Sequence, residues 1–201
     1  MAGLFISFEG GDGAGKSTQV GLLAKWLEER GKEVVSTREP GGTELGAQIR
    51  NLLLHGDHVS PRAEALLFAA DRAHHVESKI KPALARGAVV ITDRYFDSSV
   101  AYQGAARSLD SAQVRDLSIW AVEGLLPKLT FLLDVPAQES SSRIDGELDR
   151  MELAGSDFHC RVRDEFLALA KAEPQRFVVI DGTQSIETIA EQIKLSVEPL
   201  L

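Results

Sequence analysis

A single cysteine, Cys160, stands among 201 residues, so the chain can form no internal disulfide and offers no thiolate cluster to a metal. Both absences suit a reducing compartment. Positive charge is also in deficit: 22 Lys and Arg face 30 Asp and Glu, a formal net charge of -8. That balance argues against a general binder of nucleic acid or of anionic membranes, since such proteins meet phosphate with an excess of Lys and Arg. Any positive charge that acts must be concentrated in a pocket. Long apolar runs are missing too, and none approaches the ~20 residues that span a bilayer. The N-terminal Met1-Ala2-Gly3-Leu4-Phe5-Ile6 carries no basic segment and meets Glu9 too early for a secretory signal. Repeats, low-complexity tracts and linkers are likewise absent. One cytoplasmic domain over residues 1–201 is expected, with neither nucleic-acid nor membrane partners.

What is present is an alternation. Short β-type apolar runs, Leu4 to Phe8, Glu33 to Thr37, Ala88 to Thr92, Leu129 to Val135 and Phe177 to Ile180, are separated by longer helical patterns. This predicts an α/β fold, a five-stranded parallel sheet with helices on both faces. After the first run, Val20, Leu23 and Leu27 recur at helical spacing beside Trp26, and Gly31 follows as a stop. Trp26 and Trp120 both fall in apolar helical stripes and are expected in the core. Ser60-Pro61 reads as the cap and first residue of a helix running to about Lys79, on which Phe68 and Arg72, four apart, share a face. His74 and His75 point about 100° apart on that helix and cannot chelate one ion together. Residues 138–155 are polar, without an apolar stripe, and read as a mobile lid. Asp157 then caps a helix marked by Phe158, Val162, Phe166 and Leu169.

The most specific signal is Gly10-Gly11-Asp12-Gly13-Ala14-Gly15-Lys16-Ser17-Thr18, a G-x-x-x-x-G-K-S loop between a strand and a helix. Glycines allow backbone dihedrals closed to other residues, so Gly10, Gly13 and Gly15 can turn successive N–H groups toward one anion. The helix behind adds its unsatisfied N-terminal donors. Lys16 can reach the β and γ oxygens of a nucleoside triphosphate, and the Ser17 hydroxyl can join the shell of a Mg²⁺ ion. The apolar run Val89-Val90-Ile91 sets Asp93 and Arg94 at a strand's carboxyl edge, where open α/β sheets bind ligands. Asp93 suits Mg²⁺ or its waters, and Arg94 suits a second phosphate clamp. Phosphoryl transfer needs positioning and charge neutralisation. Arg38, Arg72, Arg94, Arg143 and Arg150 are the arginines placed to supply them, with Arg143 or Arg150 closing over ATP from the lid. The loop alone leaves open a kinase for another small acceptor, or a nucleotide-driven switch.

Further stretches narrow this. Thr37-Arg38-Glu39-Pro40-Gly41-Gly42-Thr43, Phe68-Ala69-Ala70-Asp71-Arg72-Ala73, Asp93-Arg94-Tyr95 with Ser98-Ser99, Ala101-Tyr102-Gln103-Gly104, and Leu148-Asp149-Arg150-Met151-Glu152 join the glycine loop. Over nearly the whole chain the sequence resembles bacterial thymidylate kinase. The resemblance implies a P-loop nucleoside monophosphate kinase fold with a mobile lid, and transfer of the γ-phosphoryl group of ATP to dTMP, giving dTDP on the way to dTTP, with Mg²⁺ and in a homodimer. It implies that Gly10, Gly11, Asp12, Gly13, Ala14, Gly15, Lys16, Ser17 and Thr18 hold the donor phosphates, and that Asp12 faces the acceptor's sugar and phosphate. Arg94 and Arg38 address the acceptor phosphate, Phe68 stacks on thymine and Arg72 reads its carbonyl. Ser99, Tyr102 and Gln103 complete the nucleoside pocket, with the Tyr102 ring disfavouring a 2′-hydroxyl. Lys16, Arg94, Asp12 and Arg150 are the expected catalytic set. Arg150 is the first choice of lid arginine and Arg143 the second. Ser17 and Asp93 are the metal-side pair.

Overall fold

A computed structural model of the chain describes residues 3–107, 109–143 and 149–201. Five strands, β1 Leu4–Glu9, β2 Val34–Arg38, β3 Val89–Asp93, β4 Leu129–Asp134 and β5 Phe177–Asp181, form one parallel sheet in the order β2-β3-β1-β4-β5. Each expected run lies within one residue of its strand at either end. Both sheet faces are covered, so each strand divides its side chains between two cores with a period of two. Phe5, Val90 and Leu132 enter one core with Tyr95, Phe96, Phe158 and Phe166. Ile6, Phe8, Ile91, Phe131 and Leu133 enter the other with Leu23, Trp26, Leu27, Ile189 and Ile193.

The helices are α1 Lys16–Glu28, α2 Glu44–His55, α3 Pro61–His75, α4 Lys81–Ala85, α5 Phe96–Ser99, α6 Ser111–Ala121, α7 Ala137–Ser141, α8 Ser156–Ala172 and α9 Ile186–Val197. Wide π-type turns, Val76–Ile80 and Val100–Ala106, extend α3 and α5. The helix expected from Ser60-Pro61 to about Lys79 is therefore α3 plus its π-type turn. Its two histidines part company, His74 exposed and His75 fully buried. Among the described residues, no helix is long and apolar enough to cross a membrane.

Two expectations are corrected. Trp26 is buried, but Trp120 is 78% exposed. The inward line of α6 runs through Val114, Ser118 and Ala121 at i, i+4 and i+7, which turns position 120 away from the core. The second concerns α8: its cap is Gly155, in the positive-φ region at 88°, and Asp157 lies inside the first turn, where a carboxylate still favours the helix dipole. Of the lid, the structure describes α7 and a short 3₁₀ turn at Glu152–Ala154; Ile144 to Leu148 lie outside the described residues.

Central β1 pairs with β3 on one side and β4 on the other, so the order in which strands are added switches sides at β1 and a crevice opens at the strands' carboxyl ends. The expected site residues Lys16, Ser17, Asp93 and Arg94 gather there. Beneath it, Arg176 clamps Asp97 at 2.7 and 2.8 Å and donates to Thr130 Oγ1 at 2.8 Å, a buried polar tie between α5 and the sheet.

Candidate active site

The loop leaving β1 turns because of its glycines. Gly10, Gly13 and Gly15 have φ of 135°, 78° and 89°. A Cβ on Gly10 would lie 2.5 Å from the Leu133 carbonyl oxygen, so the loop can hug β4 only with glycine there. Helix α1 starts at Lys16, whose ammonium bends back over the loop and donates to Gly10 O at 3.0 Å and Gly11 O at 2.6 Å. Burial, and next the neighbouring Arg94 charge, pull the Lys16 pKa down to about 8. Ser17 Oγ donates to Asp93 Oδ2 at 2.8 Å, so a hydroxyl and a carboxylate meet at the carboxyl end of β3.

Arg94 organises the centre of the crevice. It adopts φ 68°, a left-handed conformation that a non-glycine residue keeps only when its surroundings enforce it. Thr92 Oγ1 donates to its carbonyl at 2.9 Å, and its own N–H donates to Phe8 O at 2.9 Å. Its guanidinium donates to Gly10 O and Ser98 Oγ, each at 3.0 Å, to Asp12 Oδ1 at 2.5 Å and to the Tyr102 hydroxyl at 3.1 Å. Tyr102 in turn donates to Asp12 Oδ2 at 2.9 Å, closing a triangle. Burial alone would raise the Asp12 carboxyl, but Arg94 and Lys16 outweigh it and hold its pKa at about 2. Below the triangle, buried Glu9 accepts from Tyr95 N at 2.8 Å and Ser98 Oγ at 2.6 Å. Burial and the nearby Asp97 charge raise the Glu9 pKa.

Two cavities meet at this triangle. One is lined by Gly13, Gly15, Lys16, Ser17, Thr18, Arg38, Asp93, Arg143 and Glu152. The other is lined by Phe68, Arg72, Ser99, Tyr102 and Gln103 with Pro40, Leu54 and Met151. Asp12, Glu39, Arg50 and Arg94 belong to both. The second cavity has a polar floor: Arg72 pairs with Glu39 Oε2 at 2.7 Å and donates to Ser99 Oγ at 3.0 Å. Glu39 Oε1 bonds His75 Nδ1 at 2.9 Å, and His75 Nε2 bonds Thr37 Oγ1 at 2.7 Å. The Arg72 guanidinium is thus pinned in a plane by a carboxylate that is itself fixed by a buried imidazole.

The two lid arginines part. Arg143 lines the glycine-loop cavity, donating to Gly182 O at 3.0 Å and pairing with Glu139. Arg150 lines neither cavity. Its Nε donates to Leu53 O at 2.8 Å and its NH2 sits 2.7 Å from Glu64 Oε2, tying the segment to α2 and α3.

A glycine loop of the phosphate-binding pattern beside an aromatic-lined second cavity is the layout expected of a kinase for a small acceptor, and comparison with known proteins names the acceptor. Residues 8–193 match the family model described as thymidylate kinase. The chain is 58% identical over 205 residues to a thymidylate kinase of Clavibacter sepedonicus, covering 100% of this chain and 97% of that protein. It is 59% identical over 197 residues to one of Leifsonia xyli subsp. xyli, covering 96% and 93%. A crystal structure of thymidylate kinase from Ehrlichia chaffeensis superposes with a TM-score of 0.83 at 35% identity, covering 98% of this chain and 100% of that one. The chain belongs to the thymidylate kinase family. Its reaction is the transfer of a phosphoryl group from ATP to dTMP, giving dTDP.

For a thymidylate kinase, the sequence reading passed over several residues of this crevice. Glu39 and Arg50 line both cavities, Glu9 supports the Arg94 turn, and Met151 closes the second cavity. Glu39 had a local signal, an acidic residue at the carboxyl edge of β2 beside Arg38. Met151 stood in the stretch Leu148 to Glu152 but was given no role, and Arg50 had no local signal, because helical spacing shows which face a side chain occupies and not which distant residue it meets.

Proposed function

We propose that ATP occupies the cavity of Gly10 to Thr18 and that dTMP occupies the cavity of Phe68, Arg72, Ser99, Tyr102 and Gln103. The observation that carries this is the boundary between them: Asp12 and Arg94 line both cavities, so an acceptor phosphate and a γ-phosphate would meet beside one guanidinium. An oxygen of the dTMP phosphate attacks the γ-phosphorus, the bond to the β–γ bridging oxygen breaks, and ADP leaves with that electron pair. The protein's part is positioning and charge. Lys16 leaves the loop carbonyls for the β and γ oxygens, Arg94 spans donor and acceptor, and Arg38 flanks the acceptor phosphate. Asp12 holds Arg94 and Tyr102 at the sugar end, and Arg143 covers the donor phosphates in the role first expected of Arg150.

Mg²⁺ fits this reading. A Ser17 hydroxyl bonded to Asp93 at the loop's edge offers the hard oxygens the ion takes when substrate phosphates and waters supply the rest. Among the described residues no three-residue metal cluster exists, in keeping with an ion that arrives with nucleotide. Bound there, Mg²⁺ would neutralise phosphate charge. The same reading includes a homodimer and a cytoplasmic site of action, supported respectively by an apolar groove between α3 and α6 lined by Leu66, Val114 and Leu117 and by the lone, exposed Cys160.

Initial rates with dTMP, dUMP, dCMP, dAMP and dGMP at fixed ATP and Mg²⁺ test the assignment of the second cavity. We expect dTMP best, dUMP weaker for want of the methyl contact, and dCMP about tenfold to a hundredfold poorer, because its amino group would face the Arg72 donors. Phe68→Ala should raise the KM for dTMP far more than that for ATP. Equal effects on both would remove Phe68 from the acceptor pocket.

A further inference from the structure

Glu64 belongs to neither cavity, yet it is fully buried on α3, one helical turn before Phe68 and two before Arg72. Its Oε1 accepts from Gln103 Nε2 at 3.0 Å and from Arg107 Nε at 3.4 Å, and its Oε2 faces Arg150 NH2 at 2.7 Å. Gln103, 1% exposed, lines the second cavity from the π-type turn after α5. A free glutamine amide can present either its N–H groups or its oxygen, because a half-turn about the last torsion exchanges them. A carboxylate can only accept. Once Glu64 takes an amide N–H, the Gln103 oxygen must point the other way, and among the described residues no protein donor meets it.

We propose that Glu64 is a specificity-determining positioning residue, which orients Gln103 so that its carbonyl oxygen meets the base as a hydrogen-bond acceptor. This rests on the reading of the second cavity as the dTMP site. Thymine and uracil carry an N3–H between two carbonyls, so a cavity offering an acceptor beside the Arg72 donors reads that imide edge directly. Cytosine carries a lone pair at N3, which would face the Gln103 oxygen with no proton between them. Arg107, at the end of the π-type turn, and Arg150, in the far part of the lid segment, flank the same carboxylate, so both segments stabilise this orientation.

Measuring kcat/KM for dTMP and dCMP on the full-length enzyme tests this. Glu64→Gln restores a choice of amide orientation, and the dTMP-to-dCMP ratio should fall about tenfold or more through the KM for dTMP, with the KM for ATP unchanged. Gln103→Leu, similar in volume but without an acceptor, should produce the same fall, and the double variant should fall no further than Gln103→Leu alone. Rates that drop equally for both acceptors, leaving the ratio at the wild-type value, would mean that Glu64 is structural only and overturn the proposal. Should Glu64→Gln not fold, wild-type enzyme with ¹⁵N-labelled dTMP and ¹³C-labelled protein decides. Scalar coupling across the hydrogen bond from thymine N3–H to the Gln103 carbonyl carbon is expected, and contact of the base with the Gln103 amide protons overturns the proposal. A wild-type enzyme that does not prefer dTMP would instead refute the assignment of the cavity.

Discussion

Lys16 is held in readiness at a cost that pH exposes. In the free enzyme its ammonium rests on Gly10 O and Gly11 O with a pKa lowered to about 8 by burial and then by Arg94. On the proposed placement of ATP, the triphosphate brings negative charge to the same atoms and raises that pKa again. Nucleotide binding at pH 8 should therefore take up about half a proton, and affinity should decline as pH rises through this region, since a neutral lysine must first be protonated. Calorimetry in two buffers of different ionisation enthalpy reads the uptake directly. Lys16→Arg, whose guanidinium never loses its proton, should bind without uptake. Lys16→Ala should lose at least about a hundredfold in kcat while its thermal unfolding stays cooperative; near-normal dTDP formation would remove Lys16 from catalysis. This residue was legible in sequence because its partners lie five and six positions away. Glu39 and Glu64 act on partners 33 and 39 positions distant, and no local pattern encodes such pairings.

On the proposed assignment, the lid segment contributes to both substrate sites. At its far end Asp149 and Glu152 form a reciprocal cap: Asp149 Oδ1 accepts from Met151 N and Glu152 N, and Glu152 Oε2 accepts from Asp149 N at 2.8 Å. That cap aims Met151 into the second cavity and Arg150 toward Glu64, whereas Arg143, on the near side, lines the cavity of the glycine loop. Sequence spacing located both arginines but not their directions, because the polar stretch has no apolar stripe to orient it. Arg143→Ala should lower kcat about tenfold or more with the KM for dTMP within about twofold. Arg150→Ala should chiefly raise the KM for dTMP, since it strips a partner from buried Glu64 and loosens Met151. Steady-state rates varied in each substrate separate the two. The reverse pattern would return Arg150 to the donor side. The strands needed no such arbitration: buried apolar runs alternating with helices define a parallel sheet by themselves, and each lay within a residue of its expected place.

At the scale of the molecule, the least expected feature is exposed apolar surface. Trp120 is 78% and Leu66 57% exposed, on α6 and α3, whose groove is lined by Ala65, Leu66, Leu109, Val114 and Leu117 together with Arg62, Asp110 and Gln113. The stripe containing Trp120 was legible in sequence, but periodicity reports a shared apolar face without saying whether the core or another chain covers it. On the proposed homodimer, a second copy covers it, because in an acidic protein a largely apolar patch is where two surfaces of like charge can approach with least repulsion. The groove also touches function. Leu66 lies on the outer side of α3 while Phe68, Arg72 and Glu64 face inward, so packing against α3 from outside would stiffen the helix that shapes the acceptor cavity. Light scattering should give twice the mass of the chain, and the double substitution Leu66→Glu with Trp120→Glu should give a monomer, since burying each of these side chains is worth about 1.5–3 kcal/mol. The monomer should keep its sheet and its ATP affinity but bind dTMP more weakly, through a looser α3. A wild-type monomer would end the dimer reading, and a monomeric variant with unaltered dTMP affinity would show that α3 needs no outside support.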